Sequence, residues 1–554
     1  MPPHGMTPSR PSAFTPKLVS VLREGYGLQA LRADALAGLT VAVVALPLSM
    51  AIAIASGLAP GQGLVSAVVG GFLVSLLGGS RHQIGGPAGA FIVLVAATVT
   101  QFGVNGMLLA TMMSGVVLLL IGVLRLGTFI RYIPYPVTVG FTAGIAVIIF
   151  ASQVKELLGL SLPHEPGPLL PKLAALWGAL PTLNPAAAGL SLASVLMILA
   201  LRRWRPAWPA MLAVVILASV AAWALTLPVE TIGTRFGGIP AGLPAPALPP
   251  VSWDLLAALL PTALSFALLG GIESLLSAVV ADSMGGGRHR SNMELVAQGV
   301  ANIAAPLFGG LCITGTIART ATNVRAGARG PVSGMLHALF LLGFMLLAAP
   351  LAAYIPVAAL AAVLAVVAWN MAERHVIVTL LRASRADAAV LIVTFLLVVT
   401  RDLTEGILAG FCLSALLFLH RMAGSVEAAN VELDDLDPVT ASDRDVVVCR
   451  IGGAFFFGAA AAVGTVLDRL AERPRAYVLD LSAVAVLDST AAAMLDGFVR
   501  QARGRGAAVF IAGARPGIAR VLRAHGICAP AVGFSATAAE AVASGRALPS
   551  PAPA

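Results

Sequence analysis

From Ala35 to Ser80 the chain carries no charged residue, an unbroken run of 46 positions. At roughly 20 residues per crossing, such a run is long enough for two helices through a bilayer. Pro60 and Gly61 mark the turn between them. The rest of the sequence extends the pattern. Hydrophobic residues make up 58% and charged residues 11%, and mean hydropathy is +0.91. A soluble domain carries about 25% charged residues, so this chain cannot cover a water-facing surface of its own size.

Further apolar blocks lie near 83–100, 106–124, 134–152, 186–201, 207–227, 255–280, 295–312, 332–350, 353–371, 387–400 and 404–420, and a short mixed segment lies at 313–328. Counting all of these gives fourteen spans. Charge tests the count. With the N-terminus inside, the expected inner loops and the lead-in hold 17 Lys and Arg, and the expected outer loops hold only Lys155, Lys172, Arg235 and Arg401. Positive residues favour the cytoplasmic side, so this alternation supports count and orientation together. No cleavable signal peptide is expected, because the first apolar stretch runs past the length of an h-region.

The net charge of +9 belongs to the membrane part. Residues 1–421 hold 23 bases and 13 acids, whereas 422–554 hold 12 and 13. The bases are scattered and not interleaved with aromatics, so nucleic acid is not an expected partner. Cys312, Cys412, Cys449 and Cys528 form no CxxC pair, and neither a disulfide framework nor a metal or other cofactor is expected.

Two short segments rich in glycine and small polar residues, RHQIGGPAGAF at 81–91 and ITGTIARTATNVRAGARGP at 313–331, fall at the third and tenth span positions. They are seven spans apart, and an odd shift inverts topology. Paired interrupted segments are the best sequence pointer to a transporter binding site. After Arg421 the pattern changes. An acidic stretch around Glu432–Asp437 reads as a solvated linker. Strand-sized runs at 445–451, 476–481 and 507–512 then alternate with helical patterns at 461–473, 489–503 and 515–524, which implies a small α/β domain. The expected organisation is a cytoplasmic lead-in at 1–34, a transport domain at 35–423, an acidic linker at 424–440, the α/β domain at 441–545 and a disordered tail at 546–554.

Twelve of the 13 acids before residue 422 fall in expected loops or at span ends, and Glu273 is the exception. Arg319 is the unusual base, sitting in the short tenth segment. Ionisable residues inside a membrane are functional by default. Arg319 and the N-termini of the short third and tenth helices would supply a positive field for an anion. Glu273 would take up a proton, since a carboxyl in weakly polar surroundings gains by being neutral. The structural alternative is that Glu273 and Arg319 simply pair. Gln83, Ser49, Ser274, Thr314, Thr316 and Thr320 are weaker contact candidates, because hydroxyls in membrane helices more often bond to backbone. In the last domain Ser489 is a candidate for phosphorylation at a helix N-terminus, against plain capping by Asp488 or Ser489.

Several ordered motifs resemble the SulP family of anion transporters: AGLTVAVVALPLSMAI (37–52), GGSRHQIGGPAGAF (78–91), Glu273-Ser274 with NMELVAQGVANI (292–303), and GTIARTATN (315–323). The last domain resembles the STAS module. The resemblance, over about residues 30 to 545, implies an all-α polytopic protein of 14 spans in a 7+7 inverted repeat, with uracil-permease-like core and gate domains and a cytosolic α/β STAS domain. It also implies elevator-type alternating access in a homodimer. The site would be lined by Leu48 and Ile52 from the first span, Ala88 and Gly89 from the third, Glu273 from the eighth, and Ala318, Arg319 and Thr320 from the tenth. Leu48 stands where many relatives have Gln, Ala88 where Thr or an aromatic is frequent, and Ala318 where some animal members have Ser, leaving backbone amides to carry more of the recognition. Sodium-coupled members place Asp and Thr where Glu273 and Ile317 stand here, which favours protons over sodium.

The sequence therefore reads as a secondary active transporter of the inner (plasma) membrane with both termini cytoplasmic, and not as an enzyme. The expected substrate is a small anion such as sulfate, bicarbonate or a dicarboxylate, coupled to protons, and the STAS domain would bind an unidentified cytosolic ligand. The rivals are a nucleobase-type permease on the same fold, which Arg319 argues against, an anion channel, and a membrane sensor with STAS output.

Overall fold

The protein is described here by a computed structural model covering residues 14–128, 134–162, 165–205, 208–401, 403–424, 427–431, 446–456 and 474–548. It divides into two compact units, Met1–Phe411 and Cys412–Ala554. The helical pattern at 461–473, most of the acidic segment and the tail beyond 548 lie outside the described residues.

The first unit is helical, and its last helix runs on past Phe411: α1 (Lys17–Arg23), α2 (Leu28–Ala55), α3 (Pro60–Leu77), α4 (Gly89–Val123), α5 (Tyr135–Leu158), α6 (Leu169–Ala179), α7 (Pro185–Trp204), α8 (Ala210–Ala224), α9 (Trp253–Gly285), α10 (Ser291–Leu307), α11 (Ile317–Arg325), α12 (Val332–Leu347), α13 (Val357–Met371), α14 (Arg374–Ala383), α15 (Arg385–Thr400) and α16 (Leu403–Gly424). Among the described residues, eight helices are long and apolar enough to cross a membrane, α13 and α14 counted as one. In hydrocarbon every backbone group must be satisfied within the segment, which is why the long apolar runs are helices. The boundaries follow local chemistry. Gly57, with φ +77, closes the turn after α2. Pro60 opens α3, where the Ala59 N–H donates to Gln62 Oε1 at 3.1 Å. The run Gly89–Val123 breaks only at Gly103 (φ +71, ψ −179), where a loop is expected between the third and fourth spans. Divided there, with α1, α6 and α14 set aside, the helices form fourteen segments in the expected order. The surface helices α6 and α14 were not expected.

The loops sort into two sets. On the arginine-rich side, Arg290 donates to Thr15 O and Ser20 Oγ, Gly127 N–H to Asn292 Oδ1, and Arg329 N–H to Asp34 Oδ1. On the opposite side, Asn184 donates to Pro228 O, Ala247 N–H to Leu307 O, and Gln62 to Gly309 O, and Arg235 pairs with Glu156 at 2.8 Å. Expected inner loops bond to inner loops, and outer to outer.

Close helix approach rests on small residues. A Cβ added at Gly115 would lie 2.7 Å from Gly299 O, and one at Gly299 would lie 2.7 Å from Gly115 O. Backbones of α4 and α10 therefore touch, as small residues permit in membrane interfaces. Phe91 and Phe266 meet edge-to-face, centroids 5.8 Å apart, and tie the start of α4 to α9.

The second unit contains a sheet in the order β3 (Glu427–Val431), β4 (Val446–Phe455), β5 (Ala476–Asp480), β7 (Ala508–Ala512), β8 (Gly533–Ser535), with β6 (Val484–Leu487) also paired to β4. The β3–β4 pair is antiparallel and the others are parallel. Helices α17 (Ser489–Gly504) and α18 (Pro516–Ala524) cover one face through Leu495, Phe498, Ile518 and Leu522. Helix α19 (Ala538–Arg546) covers the other through Ala541 and Val542. The alternation of strands and helices is as expected, but the segment 424–440 is not all linker. It holds β3, an end strand of the sheet.

Candidate functional site

The two glycine-rich segments meet. β1 (Gly85–Gly86) pairs antiparallel with β2 (Thr314–Gly315), Gly85 opposite Gly315 and Gly86 opposite Thr314. Each strand leads within a few residues into a helix N-terminus, at Gly89 for α4 and Ile317 for α11. Neither N-terminus is capped by a side chain, so first-turn amides stay available and both dipoles present their positive ends near one seam.

Side chains lock that seam. Thr316 donates through N–H and Oγ1 to Ile84 O, and Thr320 Oγ1 accepts from Ile84 N–H at 3.1 Å and from Ser277 Oγ at 3.0 Å. Thr314 Oγ1 donates to Gly270 O at 2.9 Å, and Gln83 Nε2 donates to Ser274 Oγ at 2.8 Å. These hydroxyls and the Gln83 amide hold the segments together and bond as structural groups do. One stripe of α9, with Gly270, Ser274 and Ser277 at helical spacing, touches the seam. Glu273 sits within that stripe, and its Oε2 is buried without a hydrogen-bond partner.

Arg319, in the first turn of α11, is 1% exposed. Its Nη2 donates to Ser49 Oγ at 3.1 Å and to Pro87 O at 3.2 Å, while Nε and Nη1 have no partner. The guanidinium thus spans α2, the turn after β1, and α11. A Cβ at Gly86 would lie 2.3 Å from Arg319 Nη1, so glycine is what admits the guanidinium there. Among the described residues no ion pair joins Glu273 to Arg319, so the pairing alternative is not what the structure contains. A buried cation with two free donor nitrogens beside two helix N-termini is suited to holding an anion.

The other expected lining residues divide. Leu48, Ile52 and Ala88 are buried in one apolar cluster, and Thr316 and Thr320 are buried. Ala318 is exposed and Gly89 half-buried. A Cβ at Gly89 would lie 3.3 Å from Ile149 of α5 and 3.6 Å from Met371 of α13, which places the start of α4 against those helices. Glu294 was assigned to a span end, yet it is 0% exposed. Asp34 is equally buried and accepts from Tyr26, Arg329 N–H and Gly330 N–H. A span-end position misled here because chain turns, and not water, supply the partners.

The Sulfate permease family profile matches residues 31–394, and the STAS domain profile matches residues 437–541. The chain belongs to the sulfate permease family. It is 40% identical over 494 residues to the putative sulfate transporter YvdB of Bacillus subtilis, covering 88% of this chain and 93% of that one. It is 33% identical over 510 residues to the bicarbonate transporter BicA of Synechocystis, covering 87% and 88%. The solved structure of murine Solute Carrier 26 family member A9, an anion transporter in the inward-facing state, superposes with a TM-score of 0.85 over 98% of this chain and 97% of that one. At 18% identity that likeness speaks for the fold. The chain is thus a multi-pass membrane protein of a family of sulfate and bicarbonate transporters, with a C-terminal STAS domain.

Within the STAS domain Asp488 Oδ1 accepts from Ala491 N–H at 2.9 Å, so Asp488 is the N-cap of α17 and Ser489 its first residue.

Proposed function

We propose that this protein carries a small anion (sulfate, bicarbonate or a dicarboxylate) by secondary active transport, and that the anion sits where the seam between β1 and β2 delivers two helix N-termini to Arg319. The observation that carries this reading is the Arg319 guanidinium: buried, held by Ser49 and Pro87, and with Nε and Nη1 left to donate. Gly89, Ala88, Ala318, Thr316 and Thr320 contribute backbone around it, and Leu48 and Ile52 exclude water from one side. Glu273 is the proton-coupling group, since its stripe on α9 abuts the seam and its Oε2 is buried there without a hydrogen-bond partner. Coupling to sodium is the alternative.

Transport proceeds by an elevator-type movement of the helices bearing the seam against those of the fifth and twelfth segments, where Gly89 approaches Ile149 and Met371. The seven-position spacing of the paired segments fits a 7+7 inverted repeat. The arginine-rich side is cytoplasmic, the membrane is the plasma membrane, and the working form is a homodimer. The STAS domain takes a cytosolic ligand, and Ser489 is a modification candidate. A phosphate there would meet the α17 dipole favourably and the neighbouring Asp488 carboxylate unfavourably.

The test is radiolabelled uptake into proteoliposomes across a panel of sulfate, bicarbonate, fumarate, chloride and uracil, with and without an imposed pH gradient. Saturable uptake of one of the first three that rises with an inward proton gradient is expected. Glu273→Gln should keep gradient-independent uptake and lose the rise. Uptake by that variant that still scales with the gradient removes Glu273 from coupling. Competition by uracil alone replaces the anion reading with a nucleobase permease.

A further inference from the structure

One face of α10 grips the chain just ahead of both strands of the seam. Glu294, Gln298 and Asn302 recur every fourth residue, so they share one side of the helix. Each is 0% exposed. Glu294 Oε2 accepts from Gly79 N–H at 2.9 Å and Ser80 N–H at 3.1 Å. Glu294 Oε1 accepts from Gln83 Nε2 at 3.0 Å and from Gln298 Nε2 at 3.2 Å. Four donors on one carboxylate fix the turn and the side chain that precede β1.

Asn302 does the same for β2. Its Oδ1 accepts from Ile313 N–H at 2.8 Å, and its Nδ2 donates to Ile313 O at 2.8 Å and to Gln298 O at 2.9 Å. A single amide thus satisfies both backbone groups of the residue before β2, as a neighbouring strand would. Gln83 is wedged tightly as well. A Cβ at Gly315 would fall 1.8 Å from Gln83 Nε2, so the ladder on α10 touches β2 through Gln83 too. None of these groups touches Arg319 in the structure. Their reach is to the residues leading into the two strands, whose register sets where the helix N-termini and the guanidinium converge.

We propose that Asn302 and Glu294 are positioning residues for the anion site: they set the register of β1 against β2 and thereby its affinity and anion selectivity, without contacting the anion. This rests on the anion being held at the seam beside Arg319. The directional logic is specific. A lost rung in a buried network leaves a strand end free to shift, and small misplacements of preorganised donors cost binding disproportionately.

The experiment measures KM, Vmax and the sulfate-to-bicarbonate competition ratio in proteoliposomes for Asn302→Asp, Asn302→Leu and Gln83→Met, beside Arg319→Ala, with the thermal midpoint of each purified full-length variant. Asn302→Asp keeps the acceptor for Ile313 N–H and turns the donor into a carboxylate facing Ile313 O. Gln83→Met removes the two Nε2 donations at similar length, and serves if either Asn302 variant fails to fold. Positioning predicts a KM rise of about tenfold for the folded variants and an altered competition ratio, with Vmax within about twofold. Unchanged KM and ratio, with only Vmax or thermal midpoint lowered, reduces the ladder to scaffolding and overturns the proposal. Arg319→Ala separates the two readings. If it raises KM and the ladder variants do not, positioning alone fails. If it leaves KM unchanged, the site beside Arg319 fails.

Discussion

Arg319 is held by two acceptors of different origin, a hydroxyl on α2 and a carbonyl in the turn after β1. Both bonds leave one nitrogen, Nη2, and the planar fork adds Nε and Nη1, which an ammonium on the same stem does not have. Arg319→Lys should therefore retain transport with a KM raised about tenfold or more, measured as initial uptake rates against anion concentration. Gly86→Ala makes a second test, since its methyl would fall 2.3 Å from Arg319 Nη1. It should raise KM as Arg319→Lys does, and, because Gly86 has φ +158, it should also lower the thermal midpoint of the purified protein. Arg319 and Glu273 were legible in the sequence because ionisable residues inside apolar runs are rare and conspicuous. Ser49 and Pro87, which hold the guanidinium, were not singled out as its partners. A serine and a proline carry no signal until the fold brings them together from 270 and 232 positions away. Glu294 escaped for the opposite reason. It lies in the first turn of a helix, where an acid is expected for its effect on the helix dipole, and its burial is a property of the turn at Gly79 and Ser80.

At the level of elements, the contact between α4 and α10 leaves no room for a side chain at Gly115 or Gly299. Gly299→Leu should separate the helices and lower the yield of folded protein, read by monodispersity in detergent, whereas Gly189→Leu, where a Cβ meets nothing, should not. In the STAS domain the relevant element is the end of β5. Burial pushes the Asp480 carboxyl up, but hydrogen bonds from Ser482 and the Arg450 guanidinium outweigh it and hold the group below its ordinary value. A carboxyl lowered in the folded state stabilises above its unfolded pKa, and that contribution is lost as the pH falls through the folded one. Protection factors of the β5 amides in the full-length protein, taken relative to the intrinsic exchange rate at each pH, should thus fall on acidification. Asp480→Asn should be less protected at neutral pH and show a flatter fall. Strands β4, β5 and β7 were legible as buried apolar runs, with Val478 and Leu479 as typical fillers. β3, β6 and β8 were not. Glu427–Val431 and Gly533–Ser535 are short and not strongly apolar, and only pairing with a neighbour makes them strands.

For the whole molecule, the arrangement of loops on two sides is the property most plainly written in the sequence. The arginine asymmetry is a statement about a membrane potential and a cytoplasm, and helix connectivity then forces alternate loops to the same side. The bonds from Arg290 to the lead-in and from Arg235 to Glu156 agree with that sorting. A single cysteine placed at Gly238, with the native cysteines replaced, should react with a membrane-impermeant maleimide on intact cells, and one at Arg288 should react only after permeabilisation. The reverse pattern would invert the orientation and with it the direction of any proton-driven uptake. The paired glycine-rich segments were expected to meet at one site, and they do; the bonding that joins them was not legible. Two short segments 232 positions apart are joined by Thr316 and Ile84, and neither segment contains a signal for its partner beyond a shared richness in glycine.

The central claim is that a buried arginine beside two helix N-termini binds the transported anion. Equilibrium binding of radiolabelled sulfate and bicarbonate to purified full-length protein, wild type against Arg319→Ala, tests it without depending on coupling or turnover. The account predicts that the anion bound by wild type loses at least about tenfold in affinity in the variant, consistent with removal of charge-assisted hydrogen bonds. Equal affinity in the two proteins would contradict it.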